Sequence, residues 1–181
     1  MQIFQCGGSA ATIDAREAYW YAVHTRYQHE QQVNQQLERK GFHTFYPTCT
    51  KWQKWSDRSK KICQALFPGY LFITEFENRQ LQIVATRGVC GIVSVAGVPA
   101  PIPHPEIEAI RRAISSPYPV EAHCYLNKGD QVRVIEGPLS GVTGILVRND
   151  KSTKLVLSVE LLGRSVAVAI EAKSVERVLP G

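Results

Sequence analysis

The chain carries its densest apolar run at Leu66-Phe67-Pro68-Gly69-Tyr70-Leu71-Phe72-Ile73, entered through a Pro-Gly kink. Beyond the kink a period of two sets Tyr70, Phe72 and Thr74 on one face and Leu71 and Ile73 on the other, so the segment reads as a central strand with two faces to cover. One face can pack on helices of its own domain, and the other is left for a partner. Alternation predicts a strand over 18–27, with Trp20, Ala22 and His24 on one side and Tyr21, Val23 and Thr25 on the other. Residues 29–40 are polar except for Val33 and Leu37, one turn apart, and Gly41 follows where a left-handed terminator belongs; this is a helix with a narrow apolar stripe. Residues 42–52 alternate again, pass through a basic turn, and return as an antiparallel strand over 62–76. Asn78 is placed to cap a short helix carrying Leu81, Val84 and Ala85 and stopping at Gly88, and 89–95 forms another strand. Pro99, Pro101, Pro103 and Pro105 end that strand. Pro105, Glu106 and Glu108 then open a third helix, with Ile107, Ile110 and Ile114 at helical spacing, which closes near Ser116.

The pattern changes after residues 117–124, which hold two prolines and little periodicity and read as a linker. Val132 and Val134, Ile145 and Val147, Leu155 to Leu161 at every second position, and Val166, Val168 and Ile170 mark short strands separated by glycine-rich or polar turns. That is a small closed or nearly closed β-barrel. Gly137-Pro138-Leu139-Ser140-Gly141-Val142-Thr143-Gly144 lacks the Gly-Lys-Ser/Thr ending of a phosphate loop and has no helix after it, so it is turn chemistry. The expected architecture is α+β: a disordered extension over 1–18, an antiparallel sheet flanked by helices over 19–116, a flexible linker over 117–124 and a β-barrel over 125–181.

Composition narrows the function. At 181 residues and 44% hydrophobic, the chain builds one ordinary domain or two small ones. No apolar run is long enough to cross a membrane, and Cys6-Gly7-Gly8 lacks the basic region and long apolar core of a leader, so a soluble, cytoplasmic protein without a membrane partner is expected. Five cysteines, with no Cys-x-x-Cys pair, argue against a disulfide framework or structural zinc and fit a reducing compartment. His24 has no Ser, Cys or carboxylate beside it, and Glu75 and Glu77 sit at a strand end; without a nucleophile set, paired carboxylates or metal-ligand spacing, no enzyme and no cofactor is expected. The net charge of +5 is modest, but its distribution is not even. Lys51, Lys54, Arg58, Lys60 and Lys61 face a single Asp57, with Trp52 and Trp55 interleaved. Such a stretch can meet phosphates and stack bases, or it can be a solvated hairpin tip whose indoles cover a sheet edge.

The segments Trp20-Tyr21-Ala22-Val23-His24-Thr25, Leu66-Phe67-Pro68-Gly69-Tyr70-Leu71-Phe72 and Ala85-Thr86-Arg87-Gly88-Val89, followed by Lys128-Gly129-Asp130-Gln131-Val132-Arg133-Val134 and Gly137-Pro138-Leu139-Ser140-Gly141, stand in an order that resembles the NusG family. The match runs over 19–178 and pairs a NusG N-terminal domain with a C-terminal KOW domain, an SH3-like barrel. Trp55-Ser56-Asp57-Arg58 and Thr86-Arg87-Gly88-Val89 are most similar to the specialised paralogues, RfaH and the capsule or exopolysaccharide operon antiterminators. The resemblance implies a monomeric transcription elongation and antitermination factor that suppresses pausing by seating an apolar concavity on the clamp helices of RNA polymerase. By position His24, Phe67, Tyr70 and Phe72 would form that concavity. Arg26, Arg39, Lys40, Thr86 and Arg87 would contact the non-template DNA strand, and Leu162 of the KOW barrel would meet a small-subunit ribosomal protein or the termination factor Rho. A ribosome-associated KOW protein that binds RNA is the alternative. In RfaH the C-terminal segment masks the polymerase site as a helical hairpin; here the valine-rich alternation over 155–170, broken by Gly163, predicts a resting barrel and an open or only loosely covered polymerase face.

Overall fold

The computed structural model describes residues 19–54, 59–74, 76, 78–124, 129–149, 152–171 and 174–178. The extension over 1–18, the Trp55-Ser56-Asp57-Arg58 tip with the basic and tryptophan side chains of 51–61, and Glu75 and Glu77 lie outside the described residues. The expected first strand is β1 (Trp20–Thr25), and the expected helix is α1 (Glu30–Arg39), ended by Gly41 at φ 77°. Next come β2 (Thr44–Phe45), β3 (Thr48–Lys54), β4 (Ser59–Ala65) and β5 (Tyr70–Ile73). The single strand expected over 62–76 is therefore two. Pro68 and Gly69, the latter at φ 83°, turn the chain between them, so β3 and β4 leave as a separate two-stranded ribbon while β5 joins the main sheet.

The short helix is α2 (Gln80–Val84), with Arg79 rather than Asn78 at its N-cap position; Asn78 sits at φ 58° as a turn residue. Its buried side chain is Ile83, and the expected apolar positions Leu81, Val84 and Ala85 face out. The strand expected over 89–95 divides into β6 (Val89–Ile92) and β7 (Ser94–Val95). β7 makes a hairpin with β8 (Val98–Pro99), and β9 (Pro101–Ile102) leads into α3 (His104–Ser115). The main sheet has the order β2-β5-β1-β6, with β9 also on β1. On one face Val23, Leu71 and Ile73 pack with Val33, Leu37 and Ile83 of the first two helices; on the other Trp20, Ala22, Phe67 and Phe72 share a core with Ile107, Ile110 and Ala113 of α3. Both faces are covered, as the two-sided apolar pattern requires.

The C-terminal strands are β10 (Val120–Cys124), β11 (Asp130–Val134), β12 (Thr143–Asn149), β13 (Ser152–Val159), β14 (Arg164–Ala169) and β15 (Val175–Arg177), in the antiparallel order β10-β14-β13-β12-β11-β15. Leu155, Leu157, Val159, Val166 and Val168 point together into the core, as their parity demands. The helical alternative loses here because β-branched residues keep their preferred rotamers in a strand and Gly163, at φ 55°, is needed for the turn before β14. Two expectations are corrected. Residues 120–124 of the expected linker form an edge strand, with Val120 against Val168 and Cys124 against Arg164. The barrel is also not held away from the first sheet, because one continuous apolar core runs from Trp20 and Phe72 through α3 into Val132, Leu157 and Val166. Among the described residues no helix is long and apolar enough to cross a membrane, and no three His, Cys, Asp or Glu side chains are grouped to hold a metal ion.

Candidate functional site

Antiparallel pairing of β1 with β5 sets His24 opposite Tyr70, and their rings stack at 5.1 Å with 27° between planes. The turn before Tyr70 is held from both sides. Gly69 N–H donates to Glu30 Oε1 at 2.7 Å, and the Gly69 carbonyl accepts from Thr25 N at 2.8 Å. Tyr70 is half-buried and His24 is exposed, whereas Phe67 and Phe72 have no exposed surface. Phe72 meets Phe67 edge-to-face at 5.4 Å and Phe45 at 6.2 Å. The expected row of four surface residues is thus two at the surface and two in the core. Parity puts Tyr70 and Phe72 on one face, but α3 covers the Phe72 end, while the Tyr70 end, packed on the margin of that core, carries the Arg164 guanidinium from the barrel 5.4 Å over its ring.

The basic residues divide in the same way. Thr86 is buried; its hydroxyl donates to the Gln82 carbonyl at 2.8 Å and accepts from Lys40 Nζ at 2.6 Å. Lys40 Nζ also donates to the Gln82 carbonyl at 2.9 Å, and Arg79, stacked on Phe42 at 4.0 Å, donates to the Lys40 carbonyl. Lys40 and Thr86 therefore tie the end of α1 to α2. Their bonds place Arg87, whose carbonyl accepts from the Gln36 amide at 3.3 Å, beside Arg26, whose N–H donates to the Gly88 carbonyl at 2.8 Å. The guanidinium groups of Arg26, Arg39 and Arg87 are exposed and have no hydrogen bond or ion pair with the described residues.

Leu162 lies in a 3-10 turn (Glu160–Leu162) and is half-buried against the continuous core. The same turn meets α3 at Glu106, whose Oε2 is buried without a hydrogen-bond partner among the described residues. Glu106 lines a cavity of about 260 Å³ between α3 and the barrel. Across that junction Arg112 donates to the carbonyls of Pro138 at 2.9 Å and Ser140 at 2.7 Å. The contacts that Arg112, Arg164 and Glu106 make across the junction have no sequence signal, because nothing local marks a contact spanning dozens of residues.

Burial lifts the Glu106 carboxyl above its ordinary value of 4.5, the Glu160 N–H draws it partly back, and the Glu160 carboxylate pushes it up again. A carboxyl whose value is raised in the packed arrangement favours that arrangement when protonated. This contribution is complete below about pH 4.5 and is lost as pH rises through the raised value. At neutral pH the ionised group works against the contact. Glu106→Gln should therefore tighten the barrel on α3 at pH 7 and flatten the pH dependence of their dissociation, read from the Arg112 side-chain resonances. A looser contact in this variant would refute it.

The model of the family described as "Transcription termination factor nusG" matches residues 18–111. The Halalkalibacterium halodurans protein named transcription termination/antitermination protein NusG is 28% identical over 178 residues, covering 90% of this chain and 99% of its own length. The Thermus thermophilus protein of the same name is 29% identical over 177 residues, covering 86% and 96%. In fold, the chain is similar to a solved structure described as domain interaction in Thermotoga maritima NusG, with a TM-score of 0.56 and 24% identity over 92% of this chain and all of that one.

Proposed function

The chain belongs to the NusG family of transcription termination factors, and from that premise we propose that it docks on the clamp helices of RNA polymerase and suppresses pausing or termination as an operon-specific antiterminator. The observation that carries the reading is the His24–Tyr70 stack, two rings on the central strands β1 and β5 with the Arg164 guanidinium of the barrel over Tyr70, together with the exposed guanidinium groups of Arg26 and Arg87, which have no hydrogen bond or ion pair with the described residues. An amphipathic helix laid over Tyr70 and His24 would take the place of Arg164. Displacement of the barrel then frees the surface around Leu162 for its own partner, a small-subunit ribosomal protein or Rho.

Tyr70→Ala tests the docking. Loss of a central aromatic contact typically removes about 2 kcal/mol or more of binding, so capture of the protein on immobilised clamp-helix fragment should weaken by more than about tenfold. The circular dichroism spectrum should stay native. Unchanged capture would overturn the reading.

Arg26 and Arg87 are the residues for the non-template strand. Replacing both with Ala should leave clamp-helix binding intact and reduce the salt dependence of recruitment to a paused complex, by about 0.7 in logarithmic slope for each lost single-strand phosphate contact. Equal losses in both assays would assign these arginines to the fold. Co-purification with ribosomal subunits in place of polymerase would favour the RNA-binding alternative.

A further inference from the structure

At the foot of the β3–β4 ribbon lies a cleft of about 220 Å³, below the roughly 300–1,000 Å³ of sites for small organic ligands. Its lining includes Tyr27, Gln31, Tyr46, Gln64 and Pro68 around Glu30. Glu30 is only 4% exposed, and its carboxylate has one hydrogen-bond donor, the Gly69 N–H on Oε1; Oε2 receives no bond from the described residues. A carboxylate with two oxygens has room for several more donors. Tyr46 is next to it, since the Glu30 charge adds to burial in holding the Tyr46 phenol above its ordinary range. Tyr27 is 73% exposed, and neither Tyr27 nor Tyr46 has a ring partner among the described residues. The Gln31 and Gln64 amides are likewise without hydrogen bonds there. At the rim, Gln28 takes φ 62°, a left-handed conformation that a side chain adopts at a cost and that recurs at binding sites.

We propose that this cleft receives a single arginine or lysine side chain of the polymerase surface on which the protein docks, with the Glu30 carboxylate as its counter-ion and the two tyrosine rings as its walls. This rests on the polymerase reading above. The chemistry selects a cation for three reasons. A nearly buried carboxylate short of donors is satisfied by a charged N–H group and repels a phosphate. Aromatic faces attract ammonium and, by stacking, guanidinium groups. None of the lining residues is itself basic, so the chain supplies no cation from the cleft wall. The location gives the partner. Pro68 joins Phe67 to Tyr70, so a protein seated on Tyr70 reaches the cleft with its neighbouring side chains. Glu30 thereby has two duties: one oxygen orders the Gly69 turn beneath Tyr70, and the other receives the partner.

The test uses nitrogen-15-labelled full-length protein titrated with N-acetylarginine amide, with N-acetylglutamine amide as the neutral control and a single-stranded oligothymidylate as the competing class. The arginine probe should move the resonances of Gln31, Gln64 and Gly69 saturably, and the two other probes should not. Glu30→Gln keeps an oxygen for the Gly69 N–H and removes the charge. It should weaken the arginine probe by about tenfold or more, the loss expected when one partner of a desolvated charge pair is neutralised. Tyr27→Ala, at an exposed position, should weaken it severalfold and guards against misfolding of the first variant. Equal shifts with the glutamine probe, capture of the oligonucleotide at these resonances, or full arginine binding by both variants would overturn the proposal. Clamp-helix capture separates it from the docking reading: Tyr70→Ala lost with Glu30→Gln unaffected refutes the cleft alone, and Tyr70→Ala unaffected refutes docking while the arginine titration still judges the cleft.

Discussion

Phe72→Ala will destabilise the protein by about 3–5 kcal/mol, the usual loss for truncating a fully buried phenylalanine. Phe72 has no exposed surface, lies opposite Ala22 on β1 and Phe45 on β2, and meets Phe67 edge-to-face. Little around it can collapse into the space left behind, because Phe45 and Phe67 are themselves held by Trp20 and the α3 isoleucines in one core. Urea unfolding should show a lower midpoint at an unchanged slope, since the surface exposed on unfolding is nearly the same. Any loss of polymerase binding by this variant would follow from the weakened fold. Tyr70→Ala, two residues away on the same face, should behave oppositely, with a small change in stability and a large one in docking. A stability change below about 1 kcal/mol for Phe72→Ala would mean that the α3 cover is not the native arrangement.

Gly88→Ala should cost nearly as much, through the backbone. Gly88 lies at φ 98°, outside the conformations an L side chain adopts easily, and an added Cβ would stand 3.0 Å from Val33 Cγ2 and 3.3 Å from His29 Cβ. The backbone alone accounts for about 1–2 kcal/mol. Forcing a methyl between α1 and the turn adds about 1–3 kcal/mol. The Gly88 carbonyl accepts from Arg26 N, so a shift of this turn also separates Arg26 from Arg87. The variant should show both a lower melting temperature and a reduced affinity for single-stranded DNA, the second in a preparation that is still folded. Stability within about 0.5 kcal/mol of the wild type would show that the turn relaxes freely.

Phe72 and Gly88 also mark where local reading stops. Gly88 was legible as a helix terminator, because only glycine takes such a conformation without strain; its contact with Val33 was not, since α1 is brought there by the sheet. The parity of Tyr70 and Phe72 was legible too, and both do project toward the same core. Parity says nothing about how far α3 extends along that face. Lys40 and Thr86 present the same limit: a basic residue at a helix end and a threonine before an arginine look available for DNA, and the fold joins them to each other through Lys40 Nζ and Thr86 Oγ1.

What periodicity and turn chemistry settle without tertiary help is the set of elements: β1, α1, α3 and the alternating barrel strands lie where 3.6-residue and two-residue repeats put them. They settle as well that both faces of β5 are apolar and that 155–170 is a strand pair and not a helix. The packed arrangement alone decides which aromatic is surface and which is core, that 120–124 adds an edge strand beside β14, and that Arg164 reaches Tyr70. The reason is the range of the interactions. Rotamer preference, backbone strain and amphipathic repeat act within a few residues and leave a trace in every window of the chain. Burial and charge pairing between residues 70 and 164 exist only after the whole chain has closed around one core.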